Sequence, residues 1–100
     1  MSFVIKFYRK AYREYFEAYE WYEERKIGLG SRFENSVVKL VNAIDKNPLI
    51  FANKQYETRE GKIEDFPYLV VYKIFPAKNL IYITSIFHTS RNPKKKYRRK

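Results

Sequence analysis

Hydrophobic and polar positions alternate in two different rhythms along this chain. Residues 2–7 (SFVIKF) alternate weakly and predict a short strand. From residue 9 to 26 the rhythm becomes helical: Tyr12, Tyr15, Tyr19 and Tyr22 recur at three- and four-residue steps, with Ala11, Phe16 and Ala18 beside them. Arg13, Glu14, Glu17, Glu20 and Glu23 fall between them and are expected to form the wet face. Gly28 and Gly30 break this pattern and suit a helix end and a turn. Ser31 and Glu34 then have the spacing of a capping box, so a second helix is expected to begin there. Phe33, Val37, Leu40, Val41 and Ile44 form its apolar stripe, and Asn47-Pro48 ends it. Two amphipathic helices joined by so short a link predict an antiparallel hairpin.

Beyond Pro48 the rhythm turns to strands. Residues 54–59 (KQYETR) read as a strand and residues 60–62 (EGK) as a turn. Residues 68–75 (YLVVYKIF) and 80–87 (LIYITSIF) predict a hairpin around Pro76-Ala77-Lys78-Asn79. Both of its strands are apolar on both faces, so they are either central and covered on each side or have one face awaiting a partner. The expected order is β-α-α-β-β-β, an α+β fold in which the helical hairpin packs on one face of an antiparallel sheet.

Composition narrows the class. One hundred residues make one small domain, and 45% hydrophobic with 19% aromatic residues exclude a disordered chain. The absence of cysteine excludes disulfide scaffolds and thiolate chemistry, and is compatible with a reducing cytoplasm. The first residues interrupt their apolar run too early for a signal peptide, and no run reaches the ~18 apolar residues of a membrane span. With one histidine and no clustered carboxylates, neither a metal nor another cofactor is expected. No glycine-rich phosphate loop is present, and no small-molecule substrate is expected.

Charge changes the picture more. The net charge is +10, and residues 91–100 (RNPKKKYRRK) supply seven cations and no acid. Residues 1–90 therefore hold 14 of the 21 bases against all 11 acids, a balance of +3. A basic tail on a nearly balanced domain points to anionic partners.

These residues, in this order, resemble the RelE/ParE superfamily, the toxins of type II toxin–antitoxin modules. The resemblance rests on Glu20-Trp21-Tyr22-Glu23 followed by Gly28-Leu29-Gly30 and Phe33, and on Ile44-Asp45-Lys46-Asn47-Pro48. It rests further on Arg59, on Phe66-Pro67-Tyr68 with Tyr72, and on His88 with Arg91-Asn92-Pro93, an H-x-x-R-x-P ending. It implies a cytoplasmic toxin of a plasmid-stabilisation module, held inactive by a cognate antitoxin. Tyr12, Tyr15, Tyr19 and Trp21 are the residues expected to meet that antitoxin.

The superfamily divides between ParE-like inhibitors of DNA gyrase and RelE-like endoribonucleases that cut mRNA on the ribosome. The resemblance implies Arg59, Arg91 and Tyr97 as the catalytic set of the second kind, with a lysine (Lys54 or Lys62) as base. Such a lysine needs cationic neighbours to lower its pKa from ~10.4. Instead, Glu57, Glu60, Glu64 and Asp65 surround it. His88 is the one histidine and a candidate general base, although a structural role at a strand end is the commoner fate. Arg91 with Lys94, Lys95, Lys96, Arg98 and Arg99 is the set expected to meet the target or nucleic acid. The Gly28-Leu29-Gly30 loop and the H-x-x-R-x-P ending favour gyrase inhibition, with RNA cleavage the alternative. A basic nucleic-acid-binding module without toxicity is a third reading.

Overall fold

The computed structural model describes residues 3–91, and its elements follow the expected order: β1 (Val4–Phe7), α1 (Arg9–Arg25), α2 (Leu29–Lys46), β2 (Arg59–Lys62), β3 (Tyr68–Phe75) and β4 (Leu80–His88). The sheet order is β1-β4-β3-β2. β2 pairs with β3, and β3 with β4, in antiparallel register, from Arg59↔Tyr72 to Lys62↔Leu69 and from Tyr68↔His88 to Phe75↔Leu80. β1 joins the other flank of β4 in parallel, with Val4 opposite Leu80 and Phe7 opposite Ile83, so the sheet is mixed. The register of β3 against β4 jumps between Val71↔Ser85 and Tyr72↔Ile83, leaving Thr84 as an extra residue in a bulge.

The helical hairpin covers one face of this sheet. Phe33, Val37 and Ile44 of α2 join Val70, Tyr72, Ile81 and Ile86 in a single buried cluster. The strand alternation sends Val71 and Phe87 to the opposite face, where they too are buried. Thus the doubly apolar strands are the two central ones, as their composition predicts.

The link between the helices differs from the capping box that Ser31 and Glu34 suggest. α2 begins at Leu29, after Gly28 in a left-handed conformation (φ 92°). Its free amides are met from the preceding helix: Gly28 N and Gly30 N donate to the two carboxylate oxygens of Glu23, at 3.0 and 2.9 Å. With those donors satisfied, the hydroxyl of Ser31 is not needed as a cap. Gly30 is also where the two helices touch. A Cβ there would lie 2.9 Å from the Tyr19 carbonyl oxygen and 2.8 Å from Glu23 Oε1.

The second difference concerns residues 54–62. The expected strand at 54–59 is instead a loop as far as Thr58, with a 3-10 turn at Gln55–Glu57 and positive φ at both Tyr56 and Glu57, and only Arg59 is a strand residue. The expected turn at 60–62 lies within β2. Gly61 serves packing there, because a Cβ would sit 2.6 Å from the Phe51 ring. Phe51 therefore covers the glycine, and the strand tolerates it.

Two stability predictions follow from these contacts. Glu23→Ala removes the shared cap of α2 and should cost about 1 kcal/mol, read as a lower urea midpoint at unchanged slope. The second concerns alkaline pH. Burial, followed by the hydrogen bond and charge of Glu34, pushes the Tyr15 phenol up to about 12. Burial also raises Tyr22, Tyr68 and Tyr72. The folded state thus favours the protonated phenols, while unfolded tyrosines ionise from ~10 upward. Stability should be fully present below about pH 10 and fall as pH climbs towards 12. Urea midpoints across that range, with tyrosinate absorbance, measure it.

Candidate functional site

One cleft, of about 600 Å³, opens between α1 and the end of the sheet where β3 starts and β4 stops. Its floor depends on how closely α1 approaches β4. Ala11 and Ala18 face the sheet and are fully or nearly fully buried, and between them on the same stripe lies Glu14, 9% exposed. β1 pairs with β4 only as far as Ile83, so beyond that point this flank of β4 meets α1 instead of a strand. Glu14 takes the strand's place. Its Oε1 accepts from the Ile86 backbone N–H at 2.9 Å and from Ser85 Oγ at 2.8 Å. Its Oε2 lies 3.6 Å from Lys10 Nζ and 3.5 Å from Arg91 Nη1. Lys10 in turn donates to Ser85 Oγ at 3.3 Å. A buried carboxylate with two cations and two further donors is well satisfied.

The turn after β4 is equally built. Thr89 N donates to the Pro67 carbonyl and Arg91 N to the His88 carbonyl. Ser90 N donates to His88 Nδ1 at 3.1 Å, which leaves Nε2 to carry the proton of the neutral ring. The His88 ring stands edge-on to Tyr68, 4.9 Å between centroids. Burial and the adjacent Tyr22 phenol raise the Tyr68 phenol above its ordinary range, against the lowering pull of Arg91. At neutral pH, Tyr68 is therefore a hydrogen-bond donor and not a base. On the opposite wall Trp21 is half-exposed, edge-on to Tyr22, with the Arg25 guanidinium 3.8 Å above its ring. Aromatic walls around a cation already held by a carboxylate suit recognition better than proton transfer.

The structure sorts the sequence-derived candidates. Arg91 and His88 share the cleft. Arg59 does not: it pairs with Tyr72, whereas His88 pairs with Tyr68, four residues or about 13 Å further along β3. Its Nη1 donates to the Phe51 carbonyl at 2.6 Å, fastening the loop after α2, and the Tyr72 hydroxyl donates to the Pro48 carbonyl nearby. Lys62 donates to the carbonyls of Ile63 and Phe66. Lys54 and Glu57 are exposed, and Glu64 pairs with Lys39 at 3.0 Å. Tyr97, Lys94, Lys95, Lys96, Arg98 and Arg99 lie outside the described residues.

The proposed antitoxin set is divided as well. Tyr15 stacks on Phe33, and Tyr19 is half-buried against the core. Tyr12 is 55% exposed, beside Phe16 and above an apolar groove of about 260 Å³ between Phe7, Val37, Val38 and Val41. Trp21, nine residues further on, stands half a turn around the axis on the opposite flank of α1.

Glu14 and Glu23 correct the expected wet face of α1, since one is buried and the other caps α2. The signal for Glu14 was present: it shares a helical stripe with Ala11 and Ala18, and Lys10 precedes it by four. Among the described residues, no group of histidines and carboxylates could hold a metal, and no helix is long and apolar enough to cross a membrane.

The sequence profile of the family described as "ParE toxin of type II toxin-antitoxin system, parDE" matches residues 5–93. The chain belongs to the ParE toxin family. Its fold is shared with the chromosomal ParDE toxin–antitoxin system of P. aeruginosa, at TM-score 0.73 and 17% identity over 89% of this chain and 98% of that one. It is also shared with the isolated E. coli RelE toxin, at TM-score 0.66 and 22% identity over 94% and 92% of the two chains. No curated protein sequence gives a significant match. This ParE-family chain thus has the expected α+β architecture, common to both branches of the superfamily.

Removing the Glu14 carboxylate should be the costliest single change in the cleft of this ParE-family toxin. Glu14→Ala leaves the Ile86 amide and the Ser85 hydroxyl without this acceptor and removes a carboxylate from beside the buried Lys10, and should cost about 3 kcal/mol. Arg91→Ala, at an exposed end of the same network, should cost less than about 1 kcal/mol. Urea denaturation of the two variants side by side gives the comparison.

Proposed function

We propose that this toxin acts in the cytoplasm, as part of a plasmid-stabilisation module, by inhibiting DNA gyrase, and that a cognate antitoxin neutralises it. Membership of the ParE family carries the toxin–antitoxin role. The choice of target rests on the separation of Arg59 from Arg91. RNA cleavage through the 2′-hydroxyl requires a base, an acid and cations converging on one phosphate. Among the described residues, Arg59 is committed to the Phe51 carbonyl and Arg91 to Glu14, on different levels of the sheet. The carboxylates of Glu57, Glu60, Glu64 and Asp65 further oppose the approach of RNA to the middle strands.

Arg91, Lys94, Lys95, Lys96, Arg98 and Arg99 are the contacts proposed for the gyrase–DNA complex. The antitoxin is proposed to cover the Tyr12 flank of α1, with the neighbouring Tyr15 and Tyr19. There Tyr12, Phe16 and Val38 leave apolar surface exposed around the groove.

The test is induction of the chain in bacteria, with labelled thymidine and labelled amino acid followed over the first minutes. The expected result is early loss of thymidine incorporation while translation continues. Early loss of amino-acid incorporation would replace this reading with RNA cleavage on the ribosome.

A further inference from the structure

The face of the sheet turned away from the helices carries a row of side chains with no part in the core or the cleft. Ile5, Ile81 and Ile74 are aligned across β1, β4 and β3 and pack into the core on the helix side. The next row, Lys6, Tyr82 and Lys73, therefore points to the opposite side. Neighbouring strands lie ~4.8 Å apart, so the two lysines flank Tyr82 across about 10 Å of sheet. Phe75, two residues beyond Lys73, shares this side and is 37% exposed. Its ring meets Tyr82 edge-on at 5.9 Å, and the Tyr8 ring lies 5.1 Å from Tyr82.

These strands are also free of acids. Residues 3–13 and 66–91 contain no aspartate or glutamate. Lys6 and Lys73 are the only Lys, Arg, Asp or Glu side chains in β1, β3 and β4. Lys78, in the turn between β3 and β4, adds a third cation at the same end. None of the three is in an ion pair among the described residues. The one acid within the strands, Glu60, lies on the opposite edge strand, β2, beside Val71.

Rings flanked by lysines answer the two repeating features of a single-stranded polynucleotide, the face of each base and the phosphate between bases. A duplex keeps its base faces in the stack and would meet the lysines alone. An acidic peptide would do the same, and lysine offers a carboxylate none of the bidentate geometry of arginine. We propose that the Lys6–Tyr82–Lys73 row, with Phe75 and Lys78, binds single-stranded nucleic acid, its bases stacking on the exposed rings and its phosphates held by the lysines. Tyr82 lies six residues, about 20 Å, along β4 from His88, so this surface is separate from the cleft. Neither a ring nor an ammonium group reads the 2′-hydroxyl, so DNA and RNA should bind alike. The binding is a property of the chain itself and does not rest on gyrase being the target.

The test follows the anisotropy of fluorescein-labelled oligo-dT and oligo-U, each of about a dozen nucleotides, as the full chain is added over a range of salt. Both strands should bind with similar affinity. Lys6→Gln/Lys73→Gln should lower the slope of log affinity against log salt by about 1.4, two phosphate contacts at ~0.7 each. A matched loss of two exposed lysines at the helix ends, Lys26→Gln/Lys46→Gln, should leave the slope as it is, which separates this surface from the net charge of the chain. Tyr82→Leu should weaken binding about tenfold at unchanged slope. Phe75→Leu, at the more exposed ring, should give a loss of the same kind and carries the test if Tyr82→Leu fails to fold. The proposal is overturned if both lysine pairs change the slope equally, if the ring variants bind as the parent does, or if one sugar is strongly preferred. It is equally overturned if the ring variants weaken binding to duplex DNA or to phosphatidylserine vesicles as much as to oligo-dT.

Discussion

Everything at the functional end of this molecule depends on one buried carboxylate. β1 is only four residues long and stops alongside Ile83, which would leave the rest of β4 with an unpaired flank. A sheet edge buried against a helix must have its amides satisfied, and helices do not supply strand hydrogen bonds. Glu14 resolves the conflict by reaching from α1 to the Ile86 amide. The same group collects Ser85, Lys10 and Arg91, so it fixes the distance of α1 from the sheet and the course of the chain after His88. The cleft is the space left over by that arrangement.

The segments legible in the sequence are those in which one requirement dominates. Both helices and the β3–β4 hairpin bury a long stripe or run, and no local feature competes with the period. Residues 54–62 were misread because two requirements collide there. Gly61 has the composition of a turn but is a strand residue under the Phe51 ring, a contact made across ten residues of sequence. The start of α2 was misread for a related reason: the cap comes from Glu23 in the preceding helix, so the local Ser31–Glu34 pattern is present but unused. At the site, Arg91 and His88 were visible as a motif. That Glu14 rather than a phosphate holds Arg91 was not, because the two lie 77 residues apart in sequence.

The distribution of charge gives the fold its polarity. Phenols and glutamates gather on α1, with the apolar Tyr12 flank and the carboxylate-rich Trp21 flank half a turn apart. The positive charge, by contrast, is concentrated in sequence after β4. A ParE-family scaffold thereby carries surfaces of different chemistry on a single fold. Arg59 illustrates the same economy: a residue that resembles a catalytic one in sequence fastens a loop in space.

The parallel pairing of β1 with β4 has a consequence for biosynthesis. β1, made before both helices, finds its partner in β4, made after them, and that partner is a central strand of the sheet. Local helix formation can begin early, but the long-range contacts that define the domain close only at the end. A nascent chain interrupted before residue 80 lacks β4, and with it the Ile81–Ile86 part of the core, the strand partner of β1 and one of the two strand partners of β3. The folded domain is therefore an all-or-none product that only a chain carrying β4 can form.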